Sequence, residues 1–435
     1  MAQQLIGIEE ARRRVLECVR PLPAEPVALP GALDRVLAAD VAAPADVPGF
    51  DNSAMDGFAV RAGDTAGAPV VLEVVDESRA GHPASAAVEA GQAIGISTGA
   101  PLPGGADAVV RVEDTHPSSR EGVEVGAPVE VGARVEDGAP VEVGALVEVG
   151  AAVEVGANVR RAGDDVRAGQ LVLGRGIRLG PAELGVLASV GVGEAACAAR
   201  PRLAVLTSGD ELVQAGQPLR PGAIYDTNRL AVAAQAMRAG ASVVKAATLP
   251  DDRQATIDVL GDALGKGVGA DVTVVCGGVS VGPHDHVKDA LRTLGVGEVF
   301  WGVALRPGKP TWFGVHERGS ERALVFGLPG NPVSAMITFH LFVRPALDAL
   351  QGTEASERRV VAIMDEAYEK APGRAHVVRC HAQARGDGWH VRPTGPQGSH
   401  VLTSMLGADA LALLPAERGP VAAGERVTVE LVGPG

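Results

Sequence analysis

Four short segments gather the residues best able to hold an anion: TSGDEL (207–212), CGGVSVGPHDH (276–286), ALRPGKP (304–310) and GLPGNP (327–332). Their glycines leave backbone N–H groups open, the arrangement that suits phosphate or another oxyanion beside a helix start. Arg306 and Lys309 add two cations in the third segment. Two acids stand close to these loops, Asp226 in YDTN and Asp285 after the second glycine run. A pair of carboxylates with ligand phosphate is what magnesium takes as oxygen donors. Both also precede apolar segments of helical period, so helix caps explain them equally well on spacing alone.

Three competing patterns are weaker. Residues 278–282, GVSVG, match a serine nucleophile elbow and follow a strand-like run. An elbow turns directly into its helix, whereas Gly282 and Pro283 intervene, and His316, His340 and His381 bring no supporting motif for a triad. Covalent labelling of Ser280 by an active-site phosphonate would reveal such a hydrolase. The run from Gly191 to Ala196 imitates a dinucleotide fingerprint but follows a helical segment, 182–190, and no strand. His284 and His286 alone make a poor transition-metal site.

The loops must be positioned by strands and helices, and the chain alternates as a parallel sheet with crossover helices would. Strands are expected at 203–206, 242–249, 272–276 and 323–326. Helices are expected at 229–239 after Asn228, from Asp251 or Asp252 to about Gly265, at 285–294 and at 333–350. This is a three-layer α/β domain. Beyond residue 355, GWHVRP and GERVTVEL alternate as a small all-β domain, and the region from Val47 is also strand- and turn-rich. The apolar positions Ile8, Ala11, Val15 and Val19 predict a surface helix, and Glu9, Glu10 and Glu17 argue against a targeting peptide.

At 435 residues, two to four domains are expected. Aromatics are 3%, so the cores must be aliphatic. The net charge of −14 argues against a broad nucleic-acid surface, and no uninterrupted apolar window is long enough for a membrane span. Cys18, Cys197, Cys276 and Cys380 form no CxxC pair, which fits a reducing cytoplasm. Residues 122–157 hold six copies of a unit close to x-V-E-V-G-A. A left-handed β-helix is one reading. However, burying two valines per unit gives about 3–6 kcal/mol, against roughly 6–12 for ordering six backbones. The repeats therefore read as an insertion, a duplicated hairpin or loop, dispensable for folding.

The motifs taken in order point further. FDNSAMDGFAVR (50–61), STGAPLPGGADAVVRVEDT (97–115), RRAGDDV (160–166) and PAELGVLASVGV (181–192) are followed by SGDEL, IYDTNRLAV, GGVSVGPHDHVK, LRPGKPTWFG, GLPGNPVSA and TGPQGSHVLTSM. Together they resemble the molybdopterin molybdenumtransferases, the family that includes the C-terminal domain of gephyrin. The resemblance spans nearly the whole chain except the repeats. Departures are few: Phe58 and His286 stand where tyrosine is common, and Arg306 where lysine is.

The resemblance implies a multidomain α/β plus β fold. Its parts are an elongated dimerisation region (1–46 plus 158–180), a small β domain (47–157, with the insertion at 122–157), a molybdopterin-binding α/β domain (181–352) and a C-terminal β-barrel (353–435). It implies transfer of molybdenum from molybdate into adenylylated molybdopterin with release of AMP, dependent on Mg2+ at Asp226 and Asp285. Ser208, Gly209, Glu211, Gly277, Gly278, Pro329, Gly330, Asn331 and Pro332 would surround the pterin, with Ser280 beside the adenylate. Arg306, Lys309, Ser334, Arg374 and Ser399 would serve molybdate, the last two on a looser alignment. Asp56, Thr98, Asp165 and Glu183 would reach the site from the other subunit of a homodimer. A molybdopterin adenylyltransferase and recipient molybdoenzymes are the implied partners, with neither nucleic acid nor membrane.

Overall fold

The structure, a computed structural model, describes residues 5–118, 130–134, 140–265, 269–279, 286–319, 321–353 and 359–432. It divides into two compact units: one of residues 1–39, 175–180 and 195–435, the other of residues 40–174 and 181–194.

The first unit begins with helix α1 (Ile8–Glu17), whose first turn carries Glu9 and Glu10 and whose last carries Arg14, complementing the helix dipole. It is less superficial than its sequence reads. Ala11 and Val15 are in the core, and Arg12 is only 6% exposed. The Arg12 guanidinium is answered by Glu430 at 2.7 Å and donates Nε–H to the carbonyl of Leu341 at 3.0 Å.

The second unit is built on a six-stranded sheet of β1 (Gly57–Val60), β2 (Val70–Ser78), β3 (Gln92–Ile96), β4 (Ala108–Arg111), β5 (Thr115–Ser118) and β6 (Leu146–Val149), in the order β4-β1-β3-β2-β6-β5. Here the expectation for the repeats needs correction. Pro140–Glu142 pairs with Glu130–Arg134 as a hairpin, but β6, from the fifth repeat, lies between β2 and β5 with antiparallel partners on both sides. Its Val147 and Val149 are 1% and 0% exposed. The expected entropy cost is met because this copy adds to an existing sheet and does not have to build one. Helix α2 (Pro181–Ser189) belongs to the same unit, and Pro181 is compatible with a first turn because its missing N–H needs no partner there.

The α/β part of the first unit holds β7 (Arg202–Ser208), helix α3 (Thr227–Arg238), β8 (Ser242–Leu249), helix α4 (Arg253–Leu264), β9 (Val272–Cys276), helix α5 (His286–Thr293), β10 (Gly297–Trp301), β11 (Trp312–Arg318) and β12 (Glu321–Leu328). Sheet order is β8-β7-β9-β12-β11-β10. The first four strands are parallel, as expected, but β11 and β10 run antiparallel at one edge, so the sheet is mixed. One core joins α1, α3 and the helices after β12 to one face, and a second joins α4 and α5 to the other. Burial on both faces is why β9, VTVVC, is apolar apart from Thr273 and shows no alternation.

After β12 comes a continuous helical run: α6 (Pro332–Thr338), a π-helical segment (Phe339–Val343) and α7 (Arg344–Leu350). By length and composition the run Pro332–Leu350 could cross a membrane, but 78% of its apolar window is buried in the protein core. Strands β13 (Arg359–Met364), β14 (Ala375–Arg385), β15 (Gly388–Pro393), β16 (Ala410–Leu414) and β17 (Arg426–Leu431) form the C-terminal barrel. Pairing of β14 with β16 closes the five strands, leaving no open edge between them.

Candidate functional site

Three neighbouring parallel strands, β7, β9 and β12, deliver their carboxyl ends to one place, where open α/β sheets bind ligands. Ser208 ends β7. Gly277 and Gly278 follow β9 with φ of +88° and +66°, values that L side chains rarely adopt. Space is tight there as well: a Cβ on Gly277 would lie 3.1 Å from the Ser208 carbonyl oxygen, with Gly330 Cα at 3.9 Å. One on Gly278 would meet Val287 Cγ2 at 2.5 Å and Ser208 Oγ at 3.1 Å. The Gly277 N–H donates to the Leu328 carbonyl at 3.0 Å, fastening the CGGVS loop to the GLPGNP loop. The structure thus brings Ser208, Gly277, Gly278 and Gly330 together. Gly209 and Glu211 continue from Ser208, with the Glu211 carboxylate folded back over Gly209.

Asp226 proves to be the N-cap of α3, two residues before Asn228, which lies inside the helix. The Asp226 carboxylate, 3% exposed, accepts from Arg229 N–H at 3.1 Å and Thr207 Oγ1–H at 2.7 Å, with Arg229 Nε at 3.4 Å. Asn228 instead donates Nδ2–H to the Gly330 carbonyl at 2.6 Å, tying α3 to the GLPGNP loop. Its Oδ1 is buried with no protein partner, an acceptor available at the loop junction. Ser280 and Asp285 lie outside the described residues. Among the described residues, no group of three His, Cys, Asp or Glu side chains is gathered for a metal.

The cationic loop packs against α6. Gly308 has φ of +118°, and a Cβ there would stand 2.6 Å from Thr338 Cγ2. Arg306 and Lys309 are exposed on either side of it. Ser334 is buried in the first turn of α6, after Pro329, Gly330, Asn331 and Pro332 have led out of β12. Ser399 joins this group from the barrel: its Oγ accepts from Asn331 Nδ2 at 2.9 Å and its carbonyl from Val333 N–H at 3.2 Å. Arg374 is exposed just before β14, where Leu305–Arg306 pairs in parallel with Ala375–His376.

Two features here were missed from the sequence. Arg379 is fully buried, and its guanidinium donates to Ser404 Oγ and to the carbonyls of Pro396, Gln397 and Gly398. It therefore holds the loop that presents Ser399. A lone arginine within the apolar run VVRC was the available signal, because a buried guanidinium must be answered by acceptors. The second is His376, 7% exposed, which approaches Tyr368 Oη at 3.3 Å through Nδ1. Burial first, then the nearby Arg306, Lys370 and Arg374 charges, brings its pKa down to about 4. It is a neutral imidazole within a cationic corner.

The other unit carries four of the predicted residues. Asp56 and Thr98 come together, the Asp56 carboxylate accepting from Thr98 N–H at 2.7 Å and Thr98 Oγ1–H at 3.0 Å. Asp165 is exposed, with its N–H on the Val47 carbonyl at 3.0 Å. Glu183 lies in the first turn of α2. Of the histidines considered for a hydrolytic triad, His340 is held by Glu430 at 3.3 Å.

Known proteins place this geometry. Residues 6–191 match the MoeA N-terminal region (domain I and II), residues 204–349 the family described as "Probable molybdopterin binding domain", and residues 361–432 the MoeA C-terminal region (domain IV). The chain is 36% identical to the molybdopterin molybdenumtransferase of Haemophilus influenzae, over 98% of each chain. It is 35% identical to molybdopterin molybdenumtransferase 2 of Mycobacterium tuberculosis, over 97% of this chain and 98% of the other. A crystal structure of the molybdopterin biosynthesis moea protein from Pyrococcus horikosii superposes with a TM-score of 0.79 at 29% identity, covering 99% of this chain and 100% of that one. Matches of this length cover both the glycine-loop site and the flanking β regions, and the chain belongs to the molybdopterin molybdenumtransferase family.

Proposed function

We propose that this chain transfers molybdenum from molybdate into adenylylated molybdopterin, giving molybdenum cofactor and AMP. The observation that carries the reading is the meeting of Ser208, Gly277, Gly278 and Gly330 at three adjacent strand ends, with Asn331 and Ser399 hydrogen-bonded beside them. Unsubstituted backbone at that junction lets a phosphate chain approach N–H groups closely. Arg306 and Lys309 offer charge-assisted bonds to oxyanion oxygens, and Arg379 keeps the Ser399 loop in place for them. The chemical difficulty is to bring two anions together, which neutral amides and these cations ease without a global positive field.

Magnesium is the finer claim. Asp226 and Asp285 would together supply the carboxylates that magnesium takes beside substrate phosphate, and the Asp226 carboxylate keeps lone pairs beyond the two bonds it accepts. When bound, the ion would neutralise and polarise the phosphoanhydride. The cap geometry of Asp226 shows that this residue also has structural work.

We also infer a cytoplasmic homodimer in which Asp56, Thr98, Asp165 and Glu183 complete the partner's site, supplied by an adenylyltransferase and serving molybdoenzymes. Mixing Asp56→Ala and Asp285→Ala chains should then restore activity in heterodimers; none in verified mixed dimers argues for sites within one chain. For the reaction itself, purified protein with adenylylated molybdopterin, magnesium and molybdate should release AMP. AMP release equally fast without molybdate would leave a pyrophosphatase and not a metal transferase.

A further inference from the structure

The first unit contains a second cavity, away from the glycine loops. Helices α3 and α6 both start at the substrate loops, and α3 runs about 18 Å before ending at Arg238. At that far end, between α3, the helical run after β12 and the barrel, lies a cavity of about 560 Å³. That is within the roughly 300–1,000 Å³ range of small-molecule sites. Of the family motifs, only TGPQGSHVLTSM reaches it, through its last residue Met405.

Its walls are of two kinds. Met336, Phe339, Met405 and Leu411 give an apolar floor, with methionines able to adapt to an irregular or aromatic shape. Three arginines line it as well, Arg178, Arg238 and Arg344, against the single acid Asp348. Arg178 and Arg344 share that carboxylate at 3.3 and 3.9 Å, while Arg238 stands exposed in the last turn of α3. His340 also lines the cavity, but Glu430 answers it. The balance leaves an excess of two positive charges over an apolar floor in a protein whose net charge is −14. The backbone adds an independent sign. Phe339 and His340 belong to the π-helical segment, a costly irregularity that occurs frequently at functional sites.

We propose that this cavity is a binding site for a small amphipathic anion, an acidic group carried on an aromatic or otherwise apolar body. The acid would sit among Arg178, Arg238 and Arg344, and the body against Phe339, Met405 and Leu411. This site is independent of the transfer reaction, and its test does not use that reaction.

The probe is 8-anilinonaphthalene-1-sulfonate, titrated into the full chain and followed by fluorescence. Saturable binding at one equivalent per chain is expected. N-phenyl-1-naphthylamine, the same rings without the acid, should bind at least tenfold more weakly. Arg238→Glu with Arg344→Glu should weaken the sulfonate at least tenfold, while Arg292→Glu, on the exposed face of α5, should not change it. Ala408→Trp should fill the cavity and abolish binding. If that variant fails to fold, the surface arginine pair still decides the matter. Equal binding of the neutral probe, an unchanged titration in the arginine pair, or the same weakening in Arg292→Glu would each overturn the proposal.

Discussion

Strands β9 and β6 are both built largely from valine, yet they are stabilised in different ways. Every residue of β9 is buried, because helices cover both faces of its sheet. In β6 burial alternates: Val147 and Val149 point into the core, and Glu148 lies between them only partly buried. More tellingly, the β6 sequence has near copies on either side. Val155 in the next repeat has the same local pattern as Val149 but is 68% exposed. Local sequence is nearly the same in the two copies, so the free energy comes from the slot between β2 and β5 and not from the motif.

That contrast can be broken directly. Val147→Asp should cost more than about 4 kcal/mol, because it leaves an unpaired charge in a closed core. Val155→Asp should stay within about 0.5 kcal/mol of the parent. Urea unfolding followed by circular dichroism measures both. Equal costs would mean that the repeats share the slot. Deleting repeats while keeping 140–157 should be tolerated for the same reason, whereas removing the whole insertion should not.

A second contrast lies between α1 as a surface helix and α1 as a clamp. Burial alone would push the Glu430 carboxyl up, but hydrogen bonds from His340 and Arg12, reinforced by their charges, hold it well below the ordinary range. Arg359 Nε–H adds a bond at 3.1 Å. Breaking such a buried pair costs about 3–5 kcal/mol, so Glu430→Gln should destabilise the first unit by that order. With the folded pKa depressed, the stabilisation is complete above the unfolded value of about 4.3 and disappears as pH falls through the folded one. The gap between parent and variant should therefore be constant near neutrality and close in acid. A gap that grows in acid would contradict the assignment.

What was legible in the sequence follows the same division. β8 and β9 occupy the expected ranges because each is a short β-branched, mostly apolar run bounded by turns and helices; β9 is buried throughout, whereas β8 is a half-exposed edge strand. β10 and β11 went unread: GEVFW and WFGVHER are short, mixed in polarity and joined without a helix. The run 333–350 reads as one regular helix because hydrophobic period tolerates a π-helical segment of five residues. The glycine loops were visible as motifs. Their convergence, the Asn331 to Ser399 bond and the buried Arg379 were not, since each depends on contacts between segments far apart in sequence.

Asp226 and Asp285 sharpen the comparison between capping and chemistry at smaller cost. Asp285→Asn should lower AMP release on the order of 100-fold, about 2.7 kcal/mol of transition-state stabilisation, with pterin affinity by calorimetry preserved. Normal cleavage would leave Asp285 as a cap only. Asp226→Asn keeps a capping acceptor, so it should cost no more than about 1 kcal/mol in stability while showing whether its charge matters to turnover.

The central claim is that the glycine-loop site couples adenylate cleavage to metal insertion. Single-turnover incubation with adenylylated molybdopterin and molybdate, followed by metal analysis of the isolated pterin and chromatography of AMP, tests it most directly. The account predicts one molybdenum in the pterin for each AMP released. AMP accumulating while the pterin remains free of metal would contradict it.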